Sequence, residues 1–287
     1  MIPTQLEQRI FRAVYQLLGS SLSTRLSQTG PGKKVLRYLS KNKRNLDIYC
    51  GINNLKLQLT RKEAEELGFI YLGLINPNET ALIGHILSEG DVFIDVGAYV
   101  DAWHSLVASK MVGGHGKVYI FEPIFYRRLE NNLKINKLHN VTLNKVAVSD
   151  KNGYSFLYKN NEASSLISHQ IKNNFPKIKV KTTKLDTYVS QNKIKKIKLI
   201  KIDVEGAEMK VLKGSKKILN KKNSPDLLVE VVDNLLKDAG NNRVKTISFL
   251  KKLGYKVYTI TGNGNLQAYK TKENQKINNL FFSKKKY

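Results

Sequence analysis

Three stretches place acidic residues directly after apolar runs: Phe93-Ile94-Asp95-Val96-Gly97-Ala98, Val118-Tyr119-Ile120-Phe121-Glu122-Pro123 and Ile200-Lys201-Ile202-Asp203-Val204-Glu205-Gly206-Ala207-Glu208. In an open α/β sheet, ligands bind outside the carboxyl ends of the strands, near the point where strand order reverses. The residues just past each strand end are therefore the candidates for chemistry. After the first run these are Asp95, Gly97, Ala98 and Tyr99. A glycine at 97 lets the backbone turn tightly and approach a ligand, and the following helix N-terminus aims N–H groups at the same place. Glu122, with Pro123 behind it, can accept hydrogen bonds from both hydroxyls of a ribose. Asp-x-Gly alone is equally consistent with a structural turn. Paired with Glu122 it reads as a nucleoside site.

The missing residues narrow the ligand. A Gly-x-Gly-x-x-Gly fingerprint needs further glycines after Gly97, where this chain has Tyr99 and Asp101. Asp101 would put negative charge against a pyrophosphate, so a nicotinamide cofactor is not expected, and there is no Gly-x-x-x-x-Gly-Lys-Ser/Thr phosphate loop. A cofactor with ribose and adenine but no phosphate fits, and S-adenosylmethionine is the candidate.

Strand and helix patterns must position these residues. Residues 92–96 form a continuous apolar run, as for a strand buried on both faces, and a helical pattern follows to about Met111. A second strand is expected over 117–122, a second helix over 125–136 and a third strand over 141–148. Residues 154–183 read as a strand-rich excursion. A fourth central strand over 197–204 leads into a helix from about Ala207. A fifth strand over 226–232, a helix over 242–253 and two closing strands over 255–260 and 279–282 complete the alternation. This order predicts a largely parallel sheet covered on both faces.

Ahead of it, residues 1–75 read as an extension. Leu6, Ile10, Val14, Leu17 and Leu18 have helical spacing, which fits a helix packed on the body or a basic amphipathic helix on a membrane. Residues 19–45 look loosely ordered. Leu55, Leu57 and Leu59 alternate as in a strand after an Asn53-Asn54 hairpin turn, and residues 69–74 read as another strand. Pro77 opens a helix to about Leu87, with Asn76 as its N-cap. Residues 76–287 form the expected second domain.

The three stretches, together with Asn131-Asn132-Leu133-Lys134-Ile135-Asn136, Leu185-Asp186, Leu212-Lys213-Gly214 and Leu228-Val229-Glu230-Val231, resemble the FkbM-type methyltransferases over residues 75–260. Residues 203–208 are the most specific piece. The resemblance implies a class I methyltransferase fold, a Rossmann-like sheet of seven mostly parallel strands whose last strand is antiparallel. It also implies S-adenosylmethionine as cofactor and methylation of a hydroxyl on a sugar, glycan precursor or specialised metabolite. By that resemblance Asp95, Gly97 and Ala98 cradle the amino-acid part of the cofactor, Glu122 binds its ribose, residues near Ala147 flank the adenine, and Asp203 and Glu205 face the methyl-transfer site. Many members carry Asn-x-Gly after Ala98, where this chain reads Tyr99-Val100-Asp101. Tyr99 could then close over the cofactor and Asp101 could sit in the first helical turn, where negative charge is favoured. A binding-only relative is the alternative.

Transfer to a hydroxyl needs an oxygen held in line with the methyl group and a base for its proton. Asp203 and Glu205 are candidates, and one of them is expected to cap the next helix instead. His104 is a third candidate, against the blander reading of a packing residue. Glu230 could support the site or orient the acceptor. No close His/Asp pairing supports a metal, so none is expected. A nucleic-acid methyltransferase would account for the charge, but the Asn/Asp-Pro-Pro-aromatic run of base-amino methylation is absent. The acceptor pocket is expected from residues 150–183 and 46–75.

The 287 residues are 41% hydrophobic and 25% charged, a globular composition. A single cysteine, Cys50, fits a reducing compartment. No apolar stretch approaches the roughly 20 residues that span a bilayer, and Glu7, Arg9 and Arg12 break any secretory signal. The expected location is cytoplasmic. The net charge of +26, mostly lysine, fits either compositional drift or attraction to an acidic partner, such as the inner face of a membrane, an acidic glycan or RNA.

Overall fold

Apolar residues fill both alternating sets of positions along the central strands because each strand is buried on both sides. Phe93, Leu199, Leu228 and Phe281 pack into one hydrophobic layer. Their neighbours Ile94, Ile200, Leu227 and Phe282 pack into the other. The computed structural model describes residues 45–50, 55–60, 76–159, 164–165, 177–270 and 278–287. The expected helix over 4–18, the loose segment before Asn45 and the strand over 69–74 lie outside the described residues.

In chain order, β1 (Asn45–Cys50) and β2 (Leu55–Thr60) pair antiparallel, with Cys50 opposite Leu55, as the hairpin reading required. Next come α1 (Pro77–Ile86), β3 (Val92–Val96), α2 (Trp103–Val112), β4 (Lys117–Phe121) and α3 (Tyr126–Ile135). After β5 (Val141–Asn144) follow β6 (Ala147–Val148), β7 (Gly153–Lys159), β8 (Ser164–Ser165) and β9 (Lys177–Thr183). Then α4 (Leu185–Gln191), β10 (Ile197–Ile202), α5 (Glu208–Gly214), α6 (Lys216–Leu219) and β11 (Asp226–Glu230) lead to α7 (Asp233–Asp238) and α8 (Arg243–Lys252). The described chain closes with β12 (Lys256–Ile260), β13 (Leu266–Ala268) and β14 (Asn279–Ser283).

The main sheet has the order β13-β12-β14-β11-β10-β3-β4-β5. Strands β5, β4, β3, β10 and β11 are mutually parallel, and β14 runs antiparallel to both of its neighbours. This is the class I methyltransferase arrangement. It has eight strands where seven were expected, because the short β13 adds to the edge of β12. Strand order reverses between β3 and β10, which puts a binding crevice at their carboxyl ends.

Two other expectations change. The third strand over 141–148 is two strands: β5 stays in the main sheet, while β6 pairs with Thr182 and Thr183 of β9 in a separate four-stranded sheet, β6-β9-β7-β8. Asn76 precedes α1 with left-handed φ of 46° but makes no side-chain cap; its carbonyl accepts from the Thr80 amide at 2.8 Å. The hairpin docks on α3, where Asn132 Oδ1 accepts from Gln58 N and Asn136 brackets Lys56 by accepting from its N and donating to its O. That uses the Asn-rich stretch for structure. No helix among the described residues is long and apolar enough to cross a membrane.

Candidate functional site

The ends of β3, β4, β10 and β11, with β6 alongside, open on a cleft of about 240 Å³. All eleven residues expected at the site line it: Asp95, Gly97, Ala98, Tyr99, Asp101, His104, Glu122, Pro123, Ala147, Asp203 and Glu205. Glu230 and Leu157 line it too. Residues 55–58 of the hairpin do not. Their edge is spent on α3.

Gly97 has φ of +85°, and a Cβ there would stand 1.8 Å from the Asp203 carbonyl oxygen. Glycine is thus required by the close approach of the two strand ends. The Asp203 amide donates to Val96 O and the Gly97 amide to Phe121 O, each at 3.0 Å, so the turns after β3, β4 and β10 are tied together.

Lys201 lies opposite Asp95 in the register of β10 and β3. Its Nζ is 3.0 Å from Asp203 Oδ2, 3.1 Å from the Gly97 carbonyl and 3.5 Å from Asp95 Oδ1. Burial alone would depress this ammonium, but the Asp203 and Asp95 carboxylates outweigh it and hold the proton more tightly than usual. Asp95 also accepts from Ser105 Oγ at 2.7 Å, and its burial raises it despite both partners.

Tyr99 takes left-handed φ of 56° and sets its ring edge-on to Phe125, with centroids 5.0 Å apart. Glu122 Oε1 accepts from the amides of Ile124 and Phe125 at 2.9 and 3.1 Å. Burial raises Glu122, and bonds from these amides and that of Tyr99 lower it. An ionised carboxylate has about four acceptor positions, so one oxygen keeps capacity for a ligand hydroxyl. Asp101 stands just ahead of α2, accepting from Trp103 N at 3.3 Å, and burial lifts it to about 7. His104 is buried and pushed down to about 3, chiefly by burial and then by Lys201; its Nε2 has no hydrogen-bond partner among the described residues. It stays neutral at ordinary pH.

Neither Asp203 nor Glu205 is the cap that was expected on the next helix. Glu208 reaches back, and its Oε1 accepts from Gly206 N at 2.9 Å and Val204 N at 3.1 Å, much as the acidic residue of a capping box does. Glu205 and Gly206, at φ of 54° and 97°, form the turn it stabilises. Burial first and Asp203 second lift Glu205 to about 7. Burial lifts Glu208 to about 7 as well. Glu230, at the end of β11, rises to about 10 through burial and repulsion from Asp203, Glu205 and Glu208.

Sequence reasoning missed Lys201 and Glu208. A lysine, Lys201, among the buried residues at the carboxyl end of a strand whose other lysine, Lys198, lies near its partly exposed start was the available signal for the first. The second stood in the quoted motif without a role. Among the described residues no group of three or more His, Cys, Asp or Glu side chains is placed to hold a metal.

None of the curated proteins compared matches this chain. Solved structures with similar architecture include an rRNA methylase from Streptococcus thermophilus, with 14% identity, 71% of this chain and 91% of that chain covered, and a TM-score of 0.39. An S-adenosylmethionine-dependent O-methyltransferase from Thermotoga maritima has 14% identity over 84% of this chain and 85% of that one, with a TM-score of 0.39. An O-methyltransferase of tomaymycin synthesis from Streptomyces achromogenes, solved with S-adenosylmethionine, has 8% identity over 73% and 80%, with a TM-score of 0.39. The family model for the methyltransferase FkbM domain matches residues 95–257, the whole span from the Asp95 turn through β12's first residues. The chain belongs to the FkbM methyltransferase family: it is a methyltransferase, and S-adenosylmethionine is its cofactor.

Proposed function

We propose that the protein is an O-methyltransferase acting on a hydroxyl of a sugar, glycan precursor or specialised metabolite, with Glu205 taking the hydroxyl proton. The observation that carries this reading is the carboxylate wall of Asp203, Glu205 and Glu230 in the cleft, where burial and the neighbouring Asp203 lift Glu205 to about 7. A general base works best with a pKa near the working pH. Asp203 is engaged by Lys201, and His104 at about 3 is too weak a base. Glu230 keeps its proton at neutral pH, so it can donate a hydrogen bond to an acceptor oxygen.

The cleft suits the cofactor. Asp95, Asp101, Glu122, Asp203 and Glu205 surround one ammonium, Lys201, one neutral imidazole and the protonated Glu230. That balance attracts a ligand carrying a sulfonium and an ammonium and repels a diphosphate. Asp95, Gly97 and Ala98, with Tyr99 and Asp101, would hold the amino-acid part; Glu122 and Pro123 the ribose; Ala147 the adenine. When bound, the cofactor supplies an electrophilic methyl group. The same negative field disfavours an anionic group next to the reacting hydroxyl, so the acceptor is neutral where it enters. The lone cysteine supports a reducing compartment, and we place the reaction in the cytoplasm.

Two measurements test this. Calorimetry with S-adenosylmethionine should show binding that weakens about a hundredfold or more in Glu122→Ala, through loss of charge-assisted hydrogen bonds. Labelled methyl transfer to sugars, sugar nucleotides and lipid-linked precursors should find an acceptor. Its rate should climb with pH through about 7, because the base must be ionised. Glu205→Gln should cut kcat by about a hundredfold or more and abolish that limb. Binding without transfer to any hydroxyl would leave a binding-only relative.

A further inference from the structure

The small sheet has two faces of opposite character. Alternate residues of β7 and β9, Leu157 and Val180, point inward and join Ala147 and Ala207 in a hydrophobic cluster that walls the cleft. The other set points outward. Tyr154 is 69% exposed and Phe156 52%, whereas most large apolar side chains among the described residues are buried. Across the antiparallel ladder Tyr154 faces Lys181 and Phe156 faces Lys179, with Lys177 next along β9. All three lysines are exposed, and neither strand contains an acidic residue. Lys179 Nζ lies 4.9 Å from the centroid of the Tyr154 ring, so charge and ring already interleave.

The positive tract continues past the end of the sheet. Asn152 Oδ1 accepts from Lys184 N at 2.8 Å, and both residues border an open groove with Lys213, Lys216, Lys217 and Lys221. The one carboxylate in that groove among the described residues, Asp186, is taken up by the amides of Lys217 and Ile218 at 2.8 and 2.9 Å.

We propose that the outward face of β7 and β9 docks the protein on an anionic lipid surface, the two rings entering the headgroup region and the lysines pairing with lipid phosphates. Charge complementarity supports this occupant: the tract is all lysine, and compact ammonium charges next to a surface each add attraction to anionic lipids without needing a fixed partner geometry. The amphipathic pairing of aromatic rings and lysine stems is the chemistry of the membrane interface. Strand side chains stand roughly perpendicular to the sheet, so the rings project outward as wedges, and one face of Tyr154 is already covered by Lys179. A single-stranded nucleic acid would instead need ring faces laid open for stacking. Because the reverse of the same strands walls the cleft, docking sets the cleft beside the lipid surface and suits an acceptor carried on a lipid. That corollary rests on the proposed methyl transfer; the docking does not.

The test is sedimentation of the full chain with vesicles of equimolar phosphatidylglycerol and phosphatidylcholine, against vesicles of phosphatidylcholine alone. Binding is expected only to the anionic vesicles. Replacing Lys177, Lys179 and Lys181 by Ser should weaken it on the order of a hundredfold, and Tyr154→Ser with Phe156→Ser about tenfold. Replacing the exposed Lys193, Lys195 and Lys196, on the loop before β10, by Ser makes the same change in net charge and should cost far less. In the wild-type protein, vesicles should slow amide exchange in β7 and β9 and leave residues 193–196 unchanged. Equal loss in the two lysine triples, unaltered binding in the aromatic double variant, or exchange protection elsewhere would overturn the proposal, as would retention by single-stranded RNA at a salt concentration that releases the vesicles.

Discussion

Lys201 is the residue on which the two central turns converge. It holds Asp203, Asp95 and the Gly97 carbonyl from a position that is almost wholly buried. Removing one member of a buried ion pair costs more than the pair contributes, because the remaining charge is left uncompensated. Lys201→Met should therefore lower stability by about 3 kcal/mol, read as a fall in the urea midpoint with an unchanged slope. An unchanged midpoint would mean that Asp95 takes up a proton at no cost. In sequence Asp203 and Glu205 could not be told apart as base and cap, and Glu208 had no role. Folded, Asp203 pairs with Lys201, Glu205 sits at about 7 in the carboxylate wall and Glu208 turns back onto the loop amides. Spacing could place them after a strand but could not tell which would turn inward.

Two glycines separate the roles of the turns. A Cβ at Gly97 would strike the Asp203 carbonyl, and one at Gly214 would stand 2.0 Å from the Ser149 carbonyl, where the end of α5 meets the turn after β6. Both Ala substitutions should destabilise by about 2 kcal/mol or more through overpacking, and Gly97→Ala further through its positive φ. Only Gly97→Ala should also weaken S-adenosylmethionine binding, since Gly214 does not line the cleft. Calorimetry on both variants checks this, and a large loss of affinity in Gly214→Ala would refute the separation. The elements themselves were mostly legible. The parallel strands read as unbroken apolar runs and the helices between them by period. The split of residues 141–148 was not, because β5 and β6 carry similar residues while pairing in different sheets. Pairing partners remote in sequence made that distinction.

Across the whole molecule, a lysine-rich exterior encloses an acid-lined cleft, and the acids set how stability depends on pH. In the folded protein Asp101, Glu205 and Glu208 rise to about 7 and Glu230 to about 10. Between about pH 4.5 and 7 the folded chain thus binds more protons at these groups than the unfolded chain, so stability falls as pH rises. His104, lowered to about 3, works the other way up to about pH 6.5, as one group against four. The urea midpoint at fixed ionic strength should therefore be lower at about pH 7.5 than at about pH 5. Glu205→Gln and Glu230→Gln should each flatten the decline, and a midpoint that rises over this range would contradict the assignment. The sequence by itself determined the strand–helix alternation and the acids that follow the strand ends, because local patterning and a glycine–acid spacing are written along the chain, and its motifs carried the resemblance to the family. Only the tertiary structure decided what each acid does there, that Gly97 answers to a neighbouring strand and that Lys201 joins two turns, since those facts arise where residues 104 positions apart meet.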